Sequence, residues 1–222
     1  MKTILLEKIG STNDYVKAIK NPEEDLLVIA KRQTGGRGTK GRSFVSEEGG
    51  VYLSLLRLYP CRAEDSFSIM MGSALAVVKT LRVYGVEAKI KWPNDIIVNG
   101  KKICGILIEN VFEGELVKRA VIGIGVNVNN PISKEIWEIA VSLKEVINKE
   151  VNIKTFIATL AFNLYLEADY NEYKRHLLFL GEEVTVITNK STYKAFIDDI
   201  TPKGSLKLRN GEELFAGEVS IR

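Results

Sequence analysis

The spacing of apolar residues changes several times along this chain, and each change marks an element. Residues 3–9 read as a short strand that Gly10 ends. Ser11, Thr12, Asn13 and Asp14 are helix-capping types, and Tyr15, Val16 and Ile19 give the apolar side of a short helix behind them. Residues 26–30 and 51–57 are apolar, β-rich runs suited to buried strands. From Phe67 to Tyr84 the apolar positions recur at helical spacing, with Ser66 placed as a cap and Met70 and Met71 as core filler. Residues 88–91 form a strand entering the turn Trp92-Pro93-Asn94-Asp95. Asn99-Gly100 between residues 95–98 and 101–109 is a hairpin signal. A second hairpin joins residues 108–112 to 116–128 through Glu113-Gly114-Glu115. Residues 132–147 carry a mixed helical pattern, and residues 154–173 a clearer helix. After Leu180-Gly181 the pattern shifts to short strands at 184–187, 193–199, 205–208 and 214–221. This organisation predicts a domain over residues 1–179 and a small barrel-like unit over 180–222. A unit of about 40 residues is below the size that usually folds alone, so it should pack on the preceding domain.

Charge and composition narrow the classes. The 222 residues are 45% hydrophobic and 27% charged, with a net charge of +3, so any cationic function must come from local clustering. Cys61 and Cys104 lack metal-ligand spacing, which fits a reduced, cytoplasmic setting. His176 is the single histidine. It reads as a solvated helix-surface residue and leaves no basis for a zinc site or a Ser-His-Asp arrangement. No secretion signal is apparent, and no run reaches the ~20 apolar residues of a membrane helix.

Candidate chemistry concentrates in residues 33–42, Gln-Thr-Gly-Gly-Arg-Gly-Thr-Lys-Gly-Arg, with four glycines and three cations. Successive backbone N–H groups in such a loop cradle anions, and Arg37, Lys40 and Arg42 add charge. It predicts a loop closing over phosphate or carboxylate; the alternative is a basic surface loop. The loop matches neither common phosphate fingerprint. Gly123 and Gly125 alternate inside a strand run, which marks a close approach by ligand or backbone. Ser11 and Thr12 either cap their helix only or also face a ligand.

Taken together, Ser11-Thr-Asn13, Gln33 to Gly38, Lys91-Trp-Pro-Asn-Asp95, Lys102 to Glu109 and Gly123 to Asn127 resemble the biotin protein ligases over essentially the whole chain. Residues 215–222 resemble the close of that family's small C-terminal domain. The fold implied is α/β (α+β), with a mixed, largely antiparallel sheet and helices in a class II synthetase-like catalytic domain. A small SH3-like β-barrel follows it. The activity implied is attack of biotin's carboxylate on the α-phosphorus of MgATP, then transfer from biotinyl-5′-adenylate to a lysine of a biotin carboxyl carrier protein. By this resemblance Arg37 and Lys102 are catalytic, with Lys101 as a register rival to Lys102. Ser11, Thr12, Asn13, Gln33, Gly36, Arg37, Gly38, Thr39, Lys102, Gly105 and Gly123 bind biotin. Arg37, Lys40, Arg42, Phe44, Asn94, Asp95, Lys102 and Asn127 serve ATP or the adenylate, with Asp95 also a Mg²⁺ candidate. Trp92 and Pro93 shape the turn rather than touch ligand.

Two departures modify these expectations. The family loop usually reads Gly-Arg-Gly-Arg, and Thr39 takes the second arginine's place, which implies looser retention of the adenylate. Ser11 comes too early for the N-terminal DNA-binding domain some members carry, so no DNA binding is expected. A homodimer through sheet edges is plausible. The rival readings are a lipoate or octanoate ligase on the same fold and a non-catalytic biotin or nucleotide sensor.

Overall fold

A computed structural model of the chain describes residues 1–58, 61–188, 191–216 and 219–221, the last three by their backbone. Elements follow the apolar pattern closely. They are β1 (Lys2–Ile9), α1 (Thr12–Lys17), β2 (Leu26–Gln33), β3 (Val51–Arg57), β4 (Cys61–Arg62), α2 (Phe67–Val83), β5 (Lys89–Lys91), β6 (Asp95–Val98), β7 (Lys101–Glu113) and β8 (Leu116–Val126). Next come α3 (Leu143–Ile147), α4 (Ile153–Asn163) and α5 (Tyr170–His176). The chain ends in β9 (Glu183–Thr188), β10 (Thr192–Ile200), β11 (Leu206–Leu208), β12 (Glu213–Leu214) and β13 (Val219–Ile221).

The main sheet runs β1-β2-β3-β8-β7-β6-β5, with β4 also on β8. Only β1 and β2 are parallel, because α1 lies between them in sequence and carries the chain back across the sheet; the remaining pairs are antiparallel. Both faces are covered. Leu27, Ile29, Leu53 and Leu55 face the main core under α2 and α4, while Leu26, Val28, Leu56 and Val121 pack with Val16 of α1. Burial on two faces explains why β2 and β3 read as continuous apolar runs rather than alternating ones.

The second sheet, β12-β11-β10-β9-β13, joins the same core: Val184, Val186, Ile197 and Leu206 belong to the cluster that includes α2 and β7. Trp92 Nε1 donates to Gly204 O at 2.9 Å, Lys174 pairs with Asp199 at 2.6 Å, and the Tyr170 hydroxyl donates to Ile200 O. Of the expected closing segment, Gly217, Glu218 and Arg222 lie outside the described residues, as do Asn189 and Lys190 of the expected turn.

Several expectations need correction. Residues 132–147 form turns and only the short α3, which opens on a Ser142–Glu145 capping box. The helix expected over 154–173 is two, α4 and α5, broken at 164–169. Asp169 caps α5 by accepting from Glu172 N at 2.5 Å. Ser66 makes no side-chain capping bond. With the turn before it, α2 gives a 21-residue apolar stretch long enough for a membrane span; more than half of its most apolar part is buried, as in a core helix. His176 is buried, not solvated. Its Nδ1 lies 3.2 Å from Ala88 O and its Nε2 2.9 Å from Arg82 Nη2, so the ring is neutral, donating at Nδ1 and accepting at Nε2.

Candidate active site

The sheet surface under α1 is hollow because small residues share its rows. The register aligns Ser54 with Gly123 and Leu107, and Tyr52 with Gly125, Gly105 and Asp95. The space left by the missing side chains is taken by other parts of the protein. A β-carbon at Gly123 would lie 2.2 Å from Asn13 Oδ1, and one at Gly125 2.7 Å from the Phe44 ring. At Gly105 it would meet Phe44 and Lys102 at 3.2 Å, and at Gly36 the Phe44 carbonyl at 2.5 Å. Gly36, Gly105 and Gly123 thus make room for neighbouring protein groups, and Gly105 and Gly123 also line the slot described next.

A narrow polar slot of about 40 Å³ opens in this hollow, with Ser11, Thr12, Asn13, Gln33 and Gly123 among its walls. A wider cavity of about 670 Å³ adjoins it, bounded by the loop from Arg37 to Phe44, the turn from Lys91 to Asp95, Ile187 of β9 and Ala216 in the turn after β12. Arg37, Gly38, Phe44, Asn94, Lys102 and Leu107 border both spaces.

The slot's polar groups are fixed by one another. Ser11 Oγ accepts from Asp14 N at 3.4 Å, so Ser11 both caps α1 and lines the slot. Thr12 donates through N and Oγ1 to Gln33 Oε1 at 2.8 and 3.0 Å, and Gln33 Nε2 donates to Ser46 Oγ at 3.0 Å. The fully buried Ser54 hydroxyl lies 2.7 Å from Thr12 Oγ1 and 2.5 Å from Asn13 Oδ1. Neutral groups held this way suit a buried polar ring whose N–H and C=O must both be paired.

The cations at the junction are held by carboxylates. Arg37 Nη2 pairs with Asp14 and lies 3.4 Å from Glu109 Oε2. Lys102 Nζ stands 2.7 Å from Asp95 Oδ1 and 5.8 Å from the Phe44 ring centre. Its register rival Lys101 is turned away, donating to Trp137 O at 2.6 Å. Glu109 also accepts from Lys17 Nζ at 2.7 Å and Asn13 Nδ2 at 2.9 Å. Burial alone would raise the Glu109 carboxyl's pKa. The hydrogen bonds from Lys17 and Asn13 and the charges of Lys17 and Arg37 outweigh it and hold the pKa below the usual range.

Thr39, Lys40 and Arg42 border the wide cavity. Lys40 takes a left-handed conformation (φ 56°) beside Gly41 (φ 72°). Asn94 uses its side chain to donate to Ile106 O at 2.9 Å, which clamps the turn onto β7. Asn127 departs from expectation. It lines neither space; its Oδ1 accepts from Asn130 Nδ2 at 3.1 Å inside a buried amide cluster. Among the described residues no group of three or more His, Cys, Asp or Glu side chains could hold a metal ion.

Glu109, Asp14 and Ser54 were not singled out as site residues by sequence reasoning, whereas Gly125, read as a point of close approach, has the Phe44 ring against it. Glu109 could have been, since Gly105, Leu107 and Glu109 fall at period two on one face of β7. Ser54 could not, because its role depends on which strand lies beside β3.

Residues 5–127 match the model of the Biotin/lipoate A/B protein ligase family. The bifunctional ligase/repressor BirA of Bacillus subtilis is 37% identical over 221 residues, covering 90% of this chain and 67% of that protein. The biotin--[acetyl-CoA-carboxylase] ligase of Paracoccus denitrificans is 34% identical over 127 residues, covering 55% of this chain and 53% of that protein. This chain thus spans from about half to two thirds of those relatives' lengths. Among solved structures, the biotin protein ligase of Aquifex aeolicus in complex with biotin and ATP superposes with a TM-score of 0.82 at 27% identity, covering 100% of this chain and 98% of that one.

Proposed function

The chain belongs to the biotin/lipoate A/B protein ligase family. On that premise we propose that it is an ATP-dependent biotin protein ligase, which forms biotinyl-5′-adenylate and transfers biotin to a lysine of a biotin carboxyl carrier protein. The observation that carries this reading is the junction. Arg37 and Lys102 both border the polar slot and the wide cavity, where a carboxylate from one must meet a phosphate from the other.

Biotin's cyclic urea occupies the slot against Ser11, Thr12, Asn13 and Gln33, and its carboxylate reaches the junction. MgATP enters the wide cavity as substrate, its phosphates beside Thr39, Lys40 and Arg42 and its metal ion within reach of Asp95. Two anions then approach each other, and Arg37 and Lys102 offset their repulsion. The planar fork of Arg37 can hold a carboxylate and the α-phosphate together. Both cations leave carboxylate partners to do so, Asp14 for Arg37 and Asp95 for Lys102, so one set of ion pairs replaces another. The same two cations stabilise the charge that grows as the carboxylate oxygen bonds to phosphorus and pyrophosphate departs. The carrier lysine's amine, arriving neutral, attacks the acyl carbon of the mixed anhydride; AMP leaves and the amine's proton is lost to solvent or phosphate.

A homodimer belongs to the same proposal. From Asn110 onward, past the residues that border the wide cavity, β7 pairs with β8 on one side only among the described strands, which leaves an edge suited to a second copy. A cytoplasmic setting fits the two free cysteines.

The function is tested by incubating the protein with biotin, MgATP and a biotin carboxyl carrier domain. Pyrophosphate release, followed by a carrier mass increase of one biotinyl group, supports the reading. Release driven by lipoate or octanoate but not biotin would overturn the substrate assignment.

A further inference from the structure

We propose that Glu109 is a positioning residue: it sets the orientation of the Asn13 amide and so decides which face of that amide the cyclic urea of biotin meets. The inference rests on the biotin reading above and concerns a side chain outside the slot.

An asparagine amide can be turned either way, and its neighbours decide which end is acceptor. Here the neighbours leave one choice. Asn13 is buried, and its Nδ2 faces the Glu109 carboxylate at 2.9 Å and Leu107 O at 3.5 Å, both acceptors only. Its Oδ1 faces the Ser54 hydroxyl at 2.5 Å and lies over Gly123, where no side chain intervenes. With the donors turned toward β7, the remaining lone pair of Oδ1 is available to the slot, where a urea N–H would donate to it. Glu109 is in turn locked by Lys17 at 2.7 Å from α1 and by Arg37 at 3.4 Å from the glycine loop. One carboxylate therefore ties the slot's amide to the residue at the reacting carboxylate. Glu109 borders the wide cavity but not the slot, so it acts through Asn13 and not by touching the urea.

The test is calorimetric binding of biotin to the full chain, with MgATP affinity and melting temperature measured alongside. Glu109→Gln offers one oxygen where the carboxylate offers two, so Asn13 and Lys17 compete for it and the amide loses its fixed orientation. Biotin affinity should fall by about tenfold or more, as when a buried polar group loses its matched partner. Biotin affinity should fall by more than MgATP affinity, because Asn13 lines the slot alone while Arg37, which Glu109 also holds, borders both spaces. Asn13→Asp sets two carboxylates together and should bind biotin poorly, and the pair Asn13→Asp with Glu109→Gln should recover binding, because donor and acceptor are then exchanged. That recovery also serves if Glu109→Gln alone folds badly, since the pair restores the contact. Unchanged biotin affinity in Glu109→Gln, or a double variant no better than Asn13→Asp, would overturn the proposal. A wild-type protein that fails to bind biotin at all would instead overturn the functional reading on which it rests.

Discussion

Gly123 has no room for a β-carbon, since one would stand 2.2 Å from Asn13 Oδ1. Gly123→Ala must displace Asn13 from the slot, and biotin affinity should drop by about tenfold or more on calorimetry, with MgATP affinity retained. Thr39 makes a different prediction. It borders the wide cavity where relatives by resemblance carry an arginine, and a threonine cannot hold phosphate with a planar, charged fork. Thr39→Arg should slow release of preformed biotinyl-adenylate in a stopped chase; an unchanged rate would remove the argument from this position. At this scale the sequence was informative where a residue type has few uses. Arg37 in a glycine loop was legible as a cation for an anion site, while Lys102 was picked out from Lys101 only by the family resemblance; both border the junction. Glu109 and Asp14 were not, because a carboxylate's meaning depends on which cation the fold sets beside it.

The elements that shape the site are held by contacts no periodicity reveals. Trp92 reads as a turn residue. In the structure its indole N–H also binds Gly204 O, so the turn carrying Asn94 and Asp95 is tied to the small sheet. Trp92→Phe leaves that carbonyl buried without its donor, a cost of about 1–3 kcal/mol. For a chain of this size the melting temperature should fall by about 2–4 °C per kcal/mol. The KM for MgATP should rise more than that for biotin, because the turn borders the wide cavity while the slot's urea-facing walls lie on α1, β2 and β8. Helix boundaries show the opposite lesson. Residues 154–173 are apolar on several sides, so their pattern continued through a break that Asp169 and Glu172 signalled by capping chemistry. The strands were easier, because Asn99-Gly100 and Glu113-Gly114-Glu115 fix the hairpins of β6, β7 and β8 locally.

Across the whole molecule one core serves both sheets, and His176 sits where α5, α2 and the entry to β5 meet. Burial lowers its pKa; the Ala88 carbonyl opposes this and the Arg82 and Lys89 charges add to it, so the net shift is downward. Unfolding exposes a ring with an ordinary pKa near 6.5. Below that value the unfolded chain binds the extra proton more readily than the folded one. His176 therefore contributes its full stability above pH 6.5 and loses it progressively as the pH falls toward the lowered folded value. Denaturant titrations should show stability declining over that window, and His176→Gln should flatten the decline. The packing that buries His176 was not legible, since a lone histidine near a helix end looks the same in sequence whether it faces water or a neighbouring strand.

The central claim is that one junction between a polar slot and a wide cavity joins a biotin carboxylate to the α-phosphate of ATP. The most direct measurement offers the purified protein MgATP with equimolar biotin, lipoate and octanoate, and identifies the acyl-adenylate by mass spectrometry. The account predicts biotinyl-adenylate alone, lost in Arg37→Ala and Lys102→Ala variants that still melt cooperatively. Lipoyl- or octanoyl-adenylate in its place would contradict the assignment of the slot, and biotin binding without any adenylate would contradict the junction itself.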